Sequence, residues 1–145
     1  MRRENGCYYC FFAVGVPRCD PDPSLGRAMK VLIVEDDEAL RKSAARMLRL
    51  EGFPIVEAGT ADEACTRFLD HTPDILFTDI HLPGTLNGWD VAEACRESNP
   101  RLPVIYASGS WGERPRPVPG SVMLGKPYSR QELMDALRSL YPAHA

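Results

Sequence analysis

The sequence predicts an α/β fold, with one parallel β-sheet covered by helices on both faces. Three observations predict it. Short, continuous apolar runs such as Val31-Leu32-Ile33-Val34 suit strands buried on both faces. Other segments repeat apolar residues along one helical face, as Leu40, Ala44, Met47 and Leu48 do. From Lys30 onward the two kinds of segment alternate, and such alternation implies parallel strands joined by helical crossovers.

The elements follow in order. After the first strand and its helix, Gly52 is placed to end that helix. Pro54-Ile55-Val56-Glu57 reads as a short second strand. Thr60 and Glu63 form a capping-box pattern before a helix carrying Ala64, Cys65, Phe68 and Leu69. Ile75-Leu76-Phe77-Thr78 is the third strand; Gly84, Asn87 and Gly88 mark a loop, and Val91, Ala92 and Cys95 lie on the next helix. Pro103-Val104-Ile105-Tyr106-Ala107 is the fourth strand, and Val122-Met123-Leu124 lies in the fifth. Ser129 and Glu132 repeat the capping pattern before a last helix lined by Leu133, Leu137 and Leu140. One unit departs from the alternation. Pro115, Pro117 and Pro119 cannot sit inside a helix, so the fourth helix is short or missing, at most a turn near Trp111 to Arg114.

The 145 residues, 44% of them hydrophobic, are enough for one sizeable core and suggest one domain. The net charge of -3 and the lack of a polybasic run predict neither a nucleic-acid nor a membrane partner. The apolar stretch from Cys7 to Val16 is about half of the roughly 20 residues a spanning helix needs. It follows Arg2 and Arg3, but no small-residue cleavage site follows it, so a signal peptide is not expected. Residues 1–28 hold scattered glycines and prolines without a sustained period and are expected to be a disordered or loosely attached leader. The domain is expected over 29–145, and Met29 suggests the hypothesis of a later start codon; a native protein whose intact mass includes Met1 would refute it. Cys7, Cys10, Cys19, Cys65 and Cys95 show neither a disulfide framework nor a second zinc-type pair, and Cys65 and Cys95 read as small buried thiols. A reducing cytoplasm is therefore expected.

In an open parallel sheet, ligands bind at the carboxyl ends of the strands. The polar residues at those ends form a coherent set: Glu35, Asp36 and Asp37 after the first strand, Asp79 after the third, Ser108 at the fourth, Lys126 after the fifth. Asp37 reads best as the cap of the first helix. Three adjacent acids exceed what capping needs, so Glu35 and Asp36 are assigned to a site.

Taken together, these motifs resemble bacterial response-regulator receiver domains. Val31 to Asp37 resembles their first-strand acidic cluster, and Pro73 to Gly84 their phosphoacceptor strand and loop. Val104 to Gly109 resembles the hydroxyl-bearing strand, and Gly125-Lys126-Pro127-Tyr128 the Lys-Pro turn. The resemblance spans Lys30 to about Leu140 and implies a flavodoxin-like, doubly wound five-stranded parallel sheet of order 2-1-3-4-5. It further implies that Asp79 accepts a phosphoryl group, with Ser108 and Lys126 contacting the phosphoryl oxygens. Glu35, Asp36, Asp79 and the backbone carbonyl of His81 would hold Mg²⁺. The chemistry agrees: a carboxylate can form an aspartyl-phosphate, transfer needs charge neutralisation more than proton chemistry, and Mg²⁺ prefers oxygen ligands. Gly109, without a side chain, would leave the approach to Asp79 open. The implied partners are a sensor histidine kinase or histidine phosphotransfer protein and an unknown downstream protein. Enzyme activity is expected only as self-phosphorylation and autodephosphorylation.

Two departures bear on output. Many receivers carry an aromatic residue three positions before the lysine, where this chain has Met123, and the missing helix removes a dimer face used by many DNA-binding members. The run Tyr106-Ala107-Ser108-Gly109 with Lys126-Pro127-Tyr128 resembles a group of stand-alone, single-domain receivers. Two other readings are weighed. One is a phosphate-independent interaction module on a receiver scaffold. The other, ranked lower, is an aspartyl-phosphate phosphohydrolase, whose Asp-x-Asp motif after the first strand is absent.

Overall fold

The structure, a computed structural model, describes residues 28–112 and 114–140. The expected leader therefore lies outside the described residues except for its last position, as do Cys7, Cys10, Cys19 and His144.

Strands β1 (Val31–Val34), β2 (Ile55–Ala58), β3 (Ile75–Asp79), β4 (Val104–Ser108) and β5 (Val122–Gly125) form one sheet of order β2-β1-β3-β4-β5. Every neighbouring pair is parallel. Helices α1 (Glu38–Leu50), α2 (Ala61–His71), α3 (Gly88–Ser98) and α4 (Arg130–Leu140) supply the crossovers and the final cover. The period-2 alternation of side chains divides the core into two layers. Leu32, Val34, Leu76, Val104 and Tyr106 face α2 and α3, meeting Phe68, Val91, Ala92 and Cys95. Val31, Ile33, Ile75, Phe77, Ile105 and Leu124 face α1 and α4, meeting Ala45, Leu48, Leu133 and Leu137. Each large apolar side chain so buried contributes about 1.5–3 kcal/mol.

The helix ends follow their local chemistry. The side chains of Asp37, Thr60 and Asn87 accept from backbone N–H groups at the starts of α1, α2 and α3, and Asn87 and Asp90 complete a reciprocal capping box. Ser129 Oγ accepts from Glu132 N at the start of α4. Gly52 follows α1 with φ +94°, a left-handed turn that a side chain would strain.

Among the described residues no helix forms between Ser108 and Val122, as the alternating prolines required. The connection is an extended strap laid over the α2/α3 side of the sheet. Three prolines deprive it of N–H donors, so side chains from elsewhere pin it. Val118 is buried in the core, and its N–H donates to Tyr106 Oη at 3.1 Å. Arg96 Nη2 donates to Pro119 O at 2.8 Å, and Arg116 reaches Asp90 at 3.0 Å and Glu93 at 2.7 Å. Met123 pairs with Tyr106 in register, so it lies on this same face, and with no helix above it remains 39% exposed.

One expectation is corrected. Cys95 is a free, buried thiol, but Cys65 is disulfide-bonded. Linear spacing does not report which sulfurs meet in three dimensions. No helix of the described residues is long and apolar enough to cross a membrane.

Candidate functional site

The site is assembled by parallel register. Val34 pairs with Thr78, so the residues that follow, Glu35 and Asp79, stand side by side at the carboxyl ends of β1 and β3. Asp79 pairs with Ala107 and Ser108 with Gly125, which brings Lys126 to the same edge. The Lys126 N–H donates to Ser108 O at 2.9 Å, and the Lys126–Pro127 peptide bond is cis.

Glu35 and Asp79 are buried and Asp36 is exposed. One carboxylate oxygen from each of the three lies within 4.8 Å of the others. Lys126 Nζ donates to Glu35 Oε2 at 2.5 Å and to Asp79 Oδ2 at 3.0 Å. The other oxygens are also engaged: Asp79 Oδ1 accepts from His81 N at 3.2 Å, and Glu35 Oε1 accepts from Asp37 N at 3.2 Å. Burial pushes the Glu35 carboxyl above its ordinary range, Asp79 adds to this, and the hydrogen bonds from Lys126 and Asp37 oppose it. Burial works against the Lys126 ammonium, yet its hydrogen bonds to Glu35 and Asp79 prevail and hold its pKa above the usual lysine value.

The structure thus brings Glu35, Asp36, Asp79 and Lys126 together. Ser108 stands at the same rim, but its hydroxyl donates to Ser110 O at 2.6 Å and accepts from Ser110 N at 3.2 Å. Contact with a phosphoryl group on Asp79 would require that hydroxyl to turn. The His81 ring approaches the same Ser110 carbonyl, at 2.9 Å from Nε2, so Nε2 carries the proton. A side-chain carbon at Gly109 would meet nothing within 4 Å, which leaves space open beside the acids. Asp37 caps α1, accepting from Leu40 N at 3.2 Å.

Sequence reasoning missed two supporting residues. Gly88 was read as part of a loop, but it is the first residue of α3, and a Cβ there would lie 2.1 Å from Asp79 O. Its N–H donates to Ile80 O at 2.8 Å, so α3 abuts the backbone of Asp79 directly. Arg41 Nη1 donates to Glu35 O at 3.0 Å. Its signal was a basic residue in the first turn of a helix, where acids are favoured.

The donor set fits a hard divalent cation. Carboxylate oxygens suit Mg²⁺, which keeps several waters and takes few protein ligands. Three carboxylates against one ammonium leave two formal negative charges for such an ion to offset.

Residues 31–138 match the family described as the response regulator receiver domain. The chain is 31% identical over 119 residues to the probable transcriptional regulatory protein TcrX of Mycobacterium tuberculosis, covering 79% of this chain and 50% of that protein. It is 27% identical over 121 residues to Protein PilG of Pseudomonas aeruginosa, covering 79% of this chain and 89% of PilG. A crystal structure of a response regulator receiver protein from Sinorhizobium medicae superposes with a TM-score of 0.72 at 26% identity, covering 79% and 94% of the two chains. The chain spans about half the length of TcrX and of nodulation protein W of Bradyrhizobium diazoefficiens.

Proposed function

The chain belongs to the response-regulator receiver family, and from that premise we propose that Asp79 accepts a phosphoryl group from a histidine kinase or phosphotransfer protein. The observation that carries this reading is the Asp79 carboxylate held beside Glu35, Asp36 and Lys126 at one sheet edge. In the transfer, an Asp79 carboxylate oxygen forms the new O–P bond while the N–P bond of the donor phosphohistidine breaks. The electron pair of that bond leaves with the donor imidazole, which takes a proton from solvent. Lys126 already touches Asp79 and stays protonated, so it would exchange one carboxylate contact for a phosphoryl oxygen. Ser108 would turn its hydroxyl from Ser110 to another phosphoryl oxygen. Glu35, Asp36 and Asp79, with the His81 backbone carbonyl, would hold Mg²⁺, which supplies charge neutralisation to the transferring group.

Signalling then follows as a population shift toward a state that binds a protein partner. We propose a signalling role without turnover of a small-molecule substrate beyond the chain's own phosphoryl group. A second reading, a phosphate-independent interaction module, draws support from exposed Met123 and from the strap that replaces a helix.

The test is intact mass after incubation with Mg²⁺ and acetyl phosphate, for wild type and Asp79→Asn. One Mg²⁺-dependent phosphoryl group on wild type alone is expected. No uptake, together with no binding of beryllium fluoride, would overturn the reading. Partner binding retained by Asp79→Asn would favour the phosphate-independent module.

A further inference from the structure

Arg41 stands behind the acidic site. Its side chain is 18% exposed, and its guanidinium makes two bonds at once. Nε donates to Glu57 Oε1 at 3.2 Å on β2, and Nη1 donates to Glu35 O at 3.0 Å. The Glu35 N–H meanwhile donates to Ala58 O at 3.1 Å. Glu35 is therefore held through its N–H by β2 and through its C=O by Arg41.

The bonded carbonyl matters because of where it lies. It belongs to the peptide unit joining Glu35 to Asp36. A peptide unit is planar, so fixing its carbonyl fixes the direction in which both residues leave it. Those two residues supply two of the three clustered carboxylates.

Arg41 is itself anchored. Glu57 is 17% exposed and also pairs with Lys42 at 3.4 Å and Arg49 at 3.3 Å. The guanidinium passes close over Gly59, where an added Cβ would lie 3.3 Å from Nη1. A planar fork with several fixed donors serves two acceptors in different directions; a lysine ammonium at the end of a flexible stem does not hold that geometry.

We propose that Arg41 is a positioning residue for cation binding, acting through the peptide between Glu35 and Asp36. The proposal rests on the phosphoacceptor reading of the acidic site and adds a supporting element to it. Partners that orient metal ligands without touching the metal typically change affinity by 10–100-fold when removed.

The test is Mg²⁺ titration by calorimetry of the whole chain, beside thermal unfolding and acetyl phosphate kinetics. Arg41→Lys keeps the charge and removes the fork. It is expected to retain an unfolding midpoint near wild type while Mg²⁺ affinity weakens about 10-fold. Its phosphorylation rate should recover at saturating Mg²⁺. Glu57→Gln leaves Arg41 present but loosely anchored, and a smaller weakening is expected; it decides the question if Arg41→Lys does not fold. Lys42→Ala removes another Glu57 cation without touching Glu35, and should leave affinity within about twofold. Unchanged affinity in a folded Arg41→Lys overturns the proposal, as does equal weakening by Lys42→Ala. Calorimetry reads Mg²⁺ without any phosphoryl transfer. A wild type that binds Mg²⁺ but accepts no phosphoryl group would therefore sink the phosphoacceptor reading and leave Arg41 to be judged separately.

Discussion

Tyr106→Phe tests how the strap between β4 and β5 is held. Tyr106 is fully buried, and its hydroxyl oxygen accepts from Val118 N at 3.1 Å. The substitution keeps the ring and its packing against Trp89, whose centroid is 4.5 Å away, so the apolar contribution is nearly unchanged. What is lost is the partner of a buried N–H, which costs about 1–3 kcal/mol. At neutral pH the thermal midpoint should fall by about 4 °C for each kcal/mol. A second signature lies in alkaline solution. Burial pushes the Tyr106 hydroxyl up to about 12, against the opposing effects of the Val118 N–H and Arg96. A group whose folded pKa is raised stabilises fully below its unfolded value, near 10, and that contribution is lost as pH rises through about 12. The slope is about 1.4 kcal/mol per pH unit, so wild type gives up about 2–3 kcal/mol over this window. Phenylalanine does not ionise. The wild-type advantage at neutral pH should therefore shrink to nothing, or change sign, by about pH 12. Urea unfolding followed by tryptophan fluorescence and circular dichroism, at neutral pH and at steps through the alkaline range, measures both effects. Equal stability at neutral pH, or parallel alkaline curves, would refute the reasoning.

Three further outcomes are expected. Gly88→Ala places a Cβ against Asp79 O and the Ile80 Cα, so α3 must move; a loss of about 1–3 kcal/mol in chemical denaturation and slower phosphorylation of Asp79 should follow. Arg116→Ala removes two ion pairs of a guanidinium that is 42% exposed, which together contribute at most about 1 kcal/mol. The amide of Val118 should exchange faster, with the initial phosphorylation rate unchanged. Mg²⁺ at about 100 times its Kd should stabilise the fold by about 2.7 kcal/mol, EDTA should reverse this, and Glu35→Gln should reduce the increment in thermal shift.

Strands β1, β3 and β4 were legible because burial on both faces leaves a continuous apolar run. The helix starts at Asp37, Thr60 and Ser129 were legible because capping is local chemistry. The acids and Lys126 were legible because ligand sites collect where parallel strands end. The rest depends on contacts between distant segments. The prolines ruled out a helix after β4, but only the fold shows that Arg96, Arg116 and Tyr106 hold what replaces it. The direction of the Ser108 hydroxyl depends on the turn at Ser110. Gly88 carries no polar group, so its close approach to Asp79 leaves no mark in composition. The disulfide at Cys65 likewise cannot be read from spacing.

The strand order also explains the residue types at the site. Neighbouring strands lie about 4.8 Å apart, so the ends of adjacent β1 and β3 bring Glu35 and Asp79 within reach of one cation. Lys126 follows β5, which is separated from β3 by β4. A group acting from there on Asp79 must cross about 10 Å. The long lysine stem and the Asp79 side chain close that gap together, which leaves the lysine charge 3.0 Å from the carboxylate. The same path requires the end of β4 to stay low, and the residues there are Ser108 and Gly109, the second of which has open space around it. Lys126 then serves two carboxylates on two strands, and the ammonium bound to both offsets the repulsion that the parallel register creates. The long cation and the small residues before it thus follow from one topological fact, that β4 lies between the lysine and the acid.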